Sequence, residues 1–408
     1  MAVCVFFCLI FAITDLAMPQ IAQCSDYICS FYVSSKLIAT GRIAEVYPLA
    51  ADKTLAETAY NKAAHQILPR LPDNIGALYF YPPIVAGLLI PFSLLPPSFA
   101  LLAFQIASLL ALAKSAGYIC SSNLLARQGF LQAFLFSPAI IVVWIGQLDI
   151  LLGVLPYALM YFFLARSQPT RAGFAGSLAI FKAQLAIGPF LVALLFLSRK
   201  QWRVLGGFCA GGIIIVALDL LLFGLEPSKG WLAVLHLMDT DFGSRSSGAA
   251  SHLAASIPHF IRFFAPHSMI SSARLLSYGF SAATFLLTLI AAAKIVSTER
   301  NDAAAAAIGL TTACFLLPVC APYLFLYSLS VFVVAGMLIF GGSTDACAEE
   351  WRAFIRPRAM ILWVVLSVYP FFLVFARSEF MPLFILFPIF IVLAEIIRFG
   401  LSKKNKPS

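Results

Sequence analysis

The sequence predicts an all-α polytopic membrane protein, and three observations predict it. Of its 408 residues, 62% are hydrophobic and 11% charged, and the mean hydropathy is +0.95. A soluble domain carries roughly 25% charged residues and about 45–50% apolar ones, so an ordinary water-soluble enzyme is excluded. Disorder is excluded too, because it needs low hydrophobicity. Third, the apolar residues fall in about twelve runs near the ~20 residues a spanning helix needs. A transmembrane β-barrel shows instead short alternating segments, and a lipid core admits no other open structure. The expected architecture is a bundle of about 12 transmembrane helices in one domain, residues 1–408, with larger extracytoplasmic segments at 19–78 and 225–268.

The runs lie at 1–18, 79–96, 98–120, 129–146, 148–165, 172–198, 204–224, 269–296, 303–319, 322–341, 359–376 and 381–399. Met1 to Met18 has no basic start and no small-residue cleavage site, so it reads as an uncleaved first span, short enough for the true start to lie upstream. In the first outer segment, Ser25 suits a helix N-cap and Gly41 a C′ position, which predicts a helix over Asp26–Thr40. Tyr27, Phe31, Ser34 or Ser35 and Ile38 share one face of it. A second helix is predicted over Lys53–Leu68, with Leu55, Ala59, Ala63 and Ile67 as its stripe. Both read as amphipathic helices at the membrane surface. Tyr79-Phe80-Tyr81-Pro82-Pro83 places aromatics at headgroup level and prolines at a helix start, where the next span enters the bilayer. Run 172–198 is long and carries Lys182 at its middle, as a broken or re-entrant segment does.

Charge sets the expected orientation. The chain carries 27 Lys and Arg against 18 Asp and Glu, a net +9. Both outer segments are neutral: five acids face five bases in the first and three face three in the second. Lys and Arg favour the cytoplasmic side of short loops, so Arg199–Arg203, Arg352–Arg358 and the tail Lys403–Lys406 are expected inside. Counting spans from there leaves Arg127, Arg166 and Arg171 outside, a misfit. No basic stripe exceeds a short loop, so nucleic acid is not an expected partner. Most of the nine cysteines sit in apolar runs as small hydrophobes. No C-x-x-C or His-x-x-x-His spacing marks a metal site.

Asp26 stands out among residues that could carry chemistry. It follows the first span and opens a capped helix, whose N-terminus stabilises a carboxylate. Two roles are open: a capping acid, the simpler reading from spacing alone, or a general base at the membrane surface. Lys182 is costly in an apolar run unless it faces a partner; a lipid phosphate or a snorkel to the interface would each serve. Gln147 and Asp149 mark a break that reads first as a turn, and Asp219 reads as interfacial. All five histidines lie in the outer segments, where His252, His259, Arg245 and Arg262 could bind a phosphate or relay a proton. No nucleotide-phosphate loop or Ser-His-Asp order is present.

A further set of short motifs occurs in a recognisable order. Asp26-Tyr27 is followed by Lys36–Gly41 and Val46-Tyr47, then by Tyr79–Pro83, Pro91 and Leu94-Leu95-Pro96. Gly146-Gln147 comes next, then Ala172-Gly173, Lys182 and Arg199–Arg203, with a faint echo at Ala321-Pro322-Tyr323. This order resembles glycosyltransferase family 87, membrane mannosyltransferases of the GT-C type. The resemblance implies a GT-C-like bundle in a bacterial inner membrane. It implies transfer of a hexose, usually mannose, from a polyprenyl-phosphate sugar to a hydroxyl of a lipid-linked or glycan acceptor at the outer face. No nucleotide sugar, often no essential metal, and no further cofactor is implied. Asp26 takes the place of the family's general base, with inversion at the anomeric carbon. Lys182 matches a family lysine and is a candidate for contact with the donor phosphate. Gln147, Arg245, Arg262, His252 and His259 are the other candidates for donor phosphate or sugar. The main alternative is a multispanning transporter or lipid flippase, which the helix count and Lys182 would also fit.

Overall fold

Helices make up the regular structure, and among the described residues no strand is present. The computed structural model describes residues 2–18, 22, 25–47, 57–72, 78–120, 128–129, 131–133, 135–237, 255–341, 346–375 and 380–403. Seven helices are long and apolar enough to cross a membrane: Pro97–Ile119, Pro169–Arg199, Arg203–Phe223, Ile270–Thr298, Asp302–Cys320, Glu350–Phe372 and Leu383–Ser402. Counting the bent pair Ser137–Ile145 and Ile150–Leu164 raises this to eight. Run 79–96 does not form a span. It is extended to Pro82, then yields only the short helices Pro83–Leu88 and Ile90–Ser93. Pro82, Pro83, Pro91 and Pro96 each remove a backbone donor, so no long helix can propagate there.

The chain divides into two compact units. The first comprises Met1–Leu110, Val142–Leu148 and Ile213–Thr240. A π-helical stretch, Tyr27–Tyr32, runs into the α-helix Val33–Ala39. Ser25 caps it through Ile28 N–H at 3.3 Å, and Gly41 follows it at φ +75°, as predicted. The helix is not a surface element, however. Tyr27, Ile28, Phe31, Tyr32, Val33, Ser34, Ser35 and Leu37 are all buried, covering nearly its whole circumference. The wider π turn shifts side chains off a single 3.6-residue stripe, so no one face stays polar. The second predicted helix is Ala59–Ile67, capped by Thr58, and Lys53 lies outside the described residues.

Each residue of the Tyr79–Ile84 strip is fixed within this unit. Tyr79 donates to Pro82 O at 3.0 Å, and Phe80 O accepts from Trp231 Nε1 at 3.1 Å. Tyr81 O accepts from the Tyr47 hydroxyl at 2.8 Å. The following helix starts on prolines and lacks a capping side chain of its own. Asp219 supplies it: Oδ1 accepts from Ile84 N at 2.7 Å, while Oδ2 accepts from Ser228 at 2.9 Å. Asp219 is thus a buried cap, where its sequence position suggested an interfacial residue.

The second unit comprises Ala111–Ile141, Asp149–Gly212 and Asp241–Ser408. Its least expected element lies within Pro169–Arg199. Thirteen residues of straight helix would separate Gly176 from Pro189 by about 20 Å. A Cβ placed on Gly176 would instead lie 2.9 Å from Pro189 Cβ. The segment therefore doubles back: Pro169–Ser177 rises, the 3-10 turn Leu178–Lys182 reverses it, and Ala183–Leu195 returns. It is a helical hairpin with Lys182 at its tip, broken as the sequence suggested, although its length and composition alone would suit a straight span.

Glycines let helix Arg203–Phe223 lie along the rising limb. A Cβ on Gly173 would meet Val204 O at 1.9 Å, one on Gly207 would meet Thr170 O at 2.2 Å, and one on Gly211 would meet Ser177 Oγ at 2.0 Å. Small residues four apart allow such backbone contact between helices in a membrane. The two segments run in the same direction, so Arg166 and Arg171 sit at the same end of the unit as Arg203. Arg199 also bonds there, to Asp302 at 2.7 Å and to the backbone carbonyls of Val296 and Glu299. A hairpin counted as no crossing puts Arg166 and Arg171 on the side of Arg203, while Arg127, the third residue of the misfit, lies outside the described residues.

Candidate active site

Two constellations carry the candidate residues, one in each unit. In the first, helix Ser137–Ile145 ends at Gly146, with φ +72°. Gly146 N bonds to Val143 O at 3.2 Å and Gln147 N to Val142 O at 2.9 Å, the paired bonds of a Schellman ending. Glycine is needed twice over. Its φ disfavours any L side chain, and a Cβ there would lie 2.4 Å from Tyr27 Cβ. The close approach sets Gln147 beside the start of the Tyr27 helix. Its Nε2 donates to Asp26 Oδ2 at 2.8 Å, and its Oε1 accepts from the Tyr81 hydroxyl at 2.9 Å. Gln147 is buried while Asp26 is half-buried. A fixed phenol thus orients a buried amide, and the amide orients a half-buried carboxylate. Around them Tyr27, Phe31, Tyr79 and Tyr81 form one aromatic cluster. Burial pushes the Tyr79 phenol well above its usual range, so it remains a neutral donor.

In the second unit, Lys182 neither snorkels nor lies open to a lipid phosphate. Its ammonium meets Asp149 Oδ2 at 2.6 Å, with side-chain exposures of 3% and 0%. A buried ammonium needs such an anion, which outcompetes a longer reach to the interface. Asp149 is thus more than a turn residue. It joins the tip of the hairpin to the π-helical stretch Ile150–Val154 that follows it. The Lys182 ammonium also sits 5.0 Å from the ring centre of Tyr327.

His259 and Arg262 are brought together on helix Ile257–Phe263, which Ser256 caps. Arg262 is buried; it donates to Pro258 O at 3.2 Å and to Pro322 O. His259 stands edge-on to Tyr323, ring centres 4.7 Å apart. Burial, with the Arg262 charge second, holds its pKa down to about 4, so its ring is neutral near pH 7. Arg245 and His252 lie outside the described residues. Among the described residues, no group of three or more His, Cys, Asp or Glu is placed to hold a metal ion.

Most residues of these two constellations lie in a stretch that matches a known family. Residues 79–322 match the profile of glycosyltransferase family 87, more than half of the chain. The chain belongs to glycosyltransferase family 87. No curated protein matches it. The match takes in Tyr81, Gln147, Asp149, Lys182, His259 and Arg262, and Asp26 lies before it. This family 87 chain is a membrane glycosyltransferase with several apolar helices of spanning length. Sequence reasoning missed the pairing role of Asp149, for which the signal was the lone buried lysine that required an anion. It also read Tyr81 only as an interfacial aromatic.

Proposed function

We propose that this glycosyltransferase moves a hexose, with mannose favoured, from a polyprenyl-phosphate sugar to a hydroxyl of a lipid-linked or glycan acceptor. Asp26 acts as general base and the anomeric centre inverts. The acceptor oxygen forms the new bond to the anomeric carbon as the bond to the phosphate oxygen breaks. The acceptor proton goes to the Asp26 carboxylate, and polyprenyl phosphate leaves. The observation that carries this reading is the Tyr81–Gln147–Asp26 relay. It leaves a half-buried carboxylate held in one orientation at a helix N-terminus, which is what a general base in a water-poor site needs. Arg262 is proposed from its charge alone as a candidate for the donor phosphate. Lys182 has a lesser claim, because Asp149 already neutralises it.

The reaction is assayed with the purified protein in membranes, radiolabelled polyprenyl-phosphate hexoses and a lipid extract as acceptor. Asp26→Asn keeps the shape and the hydrogen bond but removes the base. Turnover is expected to fall by about 10²–10⁴-fold, the usual worth of general base catalysis, with the folded yield unchanged. Equal turnover in both forms would remove Asp26 from the chemistry. Sugar-independent lipid or substrate flux without transfer would favour the transporter reading instead.

A further inference from the structure

One face of helix Pro97–Ile119 is the bed on which both halves of the Asp26 relay lie. Leu101, Phe104 and Gln105 share that face at a spacing of three and four residues, and all three are buried. Phe104 stacks on the ring of Tyr27, the residue after Asp26, with centres 4.6 Å apart. Leu101 supports the other half. Its Cδ1 lies 2.9 Å from where a Cβ on Gly146 would stand, and Gln147 follows that glycine. Gln105 makes the directional contact of the three: its Nε2 donates to Trp144 O at 3.0 Å.

The Trp144 carbonyl matters for where it sits. The last carbonyls of a helix have no partner within it. At the end of Ser137–Ile145, Val142 O accepts from Gln147 N and Val143 O from Gly146 N, so the turn serves these two itself. Trp144 O is the next in line, and Gln105 supplies its donor. Gln105 is fully buried in a helix of spanning length, where an amide is costly unless it is hydrogen-bonded. Packing alone would be served as well by leucine or methionine. Asp15, buried on helix Ala2–Ala17, adjoins the same amide. Apolar contacts such as those of Leu101 and Phe104 let a turn slide or rotate slightly, whereas a hydrogen bond to one carbonyl fixes both distance and angle.

We propose that Gln105 is a positioning residue for the transfer reaction. By holding Trp144 O it fixes the Gly146-Gln147 turn against the Tyr27 helix, and so keeps the Gln147 amide on the Asp26 carboxylate. The proposal rests on the reading of Asp26 given above and adds the residue, one helix away, on which its orientation depends. The effect is asymmetric. A single hydrogen bond contributes only about 0.5–1.5 kcal/mol to a fold, while a displacement of about 1 Å at a reacting group can cost 10²-fold in rate. Losing the Gln105 bond therefore shows in turnover more than in folding.

The test is a double-mutant cycle on transfer by the purified full chain in membranes, with polyprenyl-phosphate mannose as donor. Gln105→Met matches glutamine in length and removes the donor group; it is placed in the wild type and in Gln147→Ala. In the wild type, kcat is expected to fall by about 10–100-fold while KM for the donor stays within about twofold, as lost positioning requires. In Gln147→Ala the same substitution should change kcat by no more than about twofold, because the contact it serves is already gone. Gln105→Asn keeps an amide but falls one methylene short of Trp144 O. It should behave as the methionine variant does, and it gives the answer if that variant folds poorly. Equal losses in both backgrounds would make Gln105 a structural residue only and overturn the proposal. Unchanged kcat, or a raised KM with kcat kept, would overturn it too. Full turnover in Asp26→Asn with the two glutamines still coupled sinks the general base alone. Loss of turnover in Asp26→Asn with additive glutamines sinks the positioning role alone.

Discussion

His259 is neutral because its helix faces the interior: Arg262 lies one turn along, and Tyr323 closes the other side. Its pKa of about 4 lies below the ordinary 6.5. Between those values the unfolded chain binds a proton that the folded chain refuses. Stability is therefore unaffected above about pH 6.5 and is lost as pH falls toward 4, by about 3 kcal/mol in full. His259→Phe keeps a ring against Tyr323 and removes the titration. Its melting temperature in detergent should fall less than that of wild type between pH 7 and pH 4. Parallel acid limbs would show that other groups set the acid sensitivity. At this scale the sequence was partly readable. Ser25 and Gly41 each carry a local backbone reason, and both take the expected part. Asp149 was harder to read, because a carboxylate after Gly-Gln-Leu is also what a plain turn contains. Only the fold shows that Lys182, 33 residues on, is its partner.

The hairpin Pro169–Arg199 is the element in which hydropathy and geometry part. Its apolar run is continuous, and hydropathy reports burial without reporting direction. The reversal is set by the 3-10 turn at Leu178–Lys182 and by Gly176, which admits Pro189. In the same way, the buried flank of the Tyr27 helix could not be read from a 3.6-residue stripe, because the π turn breaks that period. The Lys182–Asp149 pair then fastens the tip. Removing one partner of a buried pair strands the other charge and typically costs about 3–5 kcal/mol, while replacing both by apolar groups is often near neutral. Lys182→Met alone should lower the thermal midpoint in detergent strongly. The double variant Asp149→Leu, Lys182→Met should recover most of that loss. A double variant no better than the sum of its singles would mean that the pair does not couple the two elements.

At the scale of the whole molecule, charge and connectivity decide which face the chemistry uses. Within the second unit, helix Ile270–Thr298 runs toward Arg199, and helix Asp302–Cys320 runs back from it. Arg166, Arg171, Arg199, Lys200, Arg203 and Lys403 thus gather at one end, where Lys403 also meets Glu350. Helix Ile270–Thr298 is about 43 Å long at 1.5 Å per residue, enough to cross a ~30 Å hydrocarbon core. His259 and Arg262 adjoin the opposite ends of these two helices. Basic residues of short loops stay on the cytoplasmic side, so the candidate donor groups should open to the outside, where a polyprenyl-phosphate sugar would be presented. Single cysteines at Lys200 and at exposed Pro266, in a background without reactive native cysteines, decide this in intact cells. A membrane-impermeant maleimide should label Pro266→Cys directly and Lys200→Cys only after permeabilisation. The reverse pattern would turn the protein over and place His259 and Arg262 on the cytoplasmic side. A donor presented at the outer face could not then be the substrate, whatever Asp26 does.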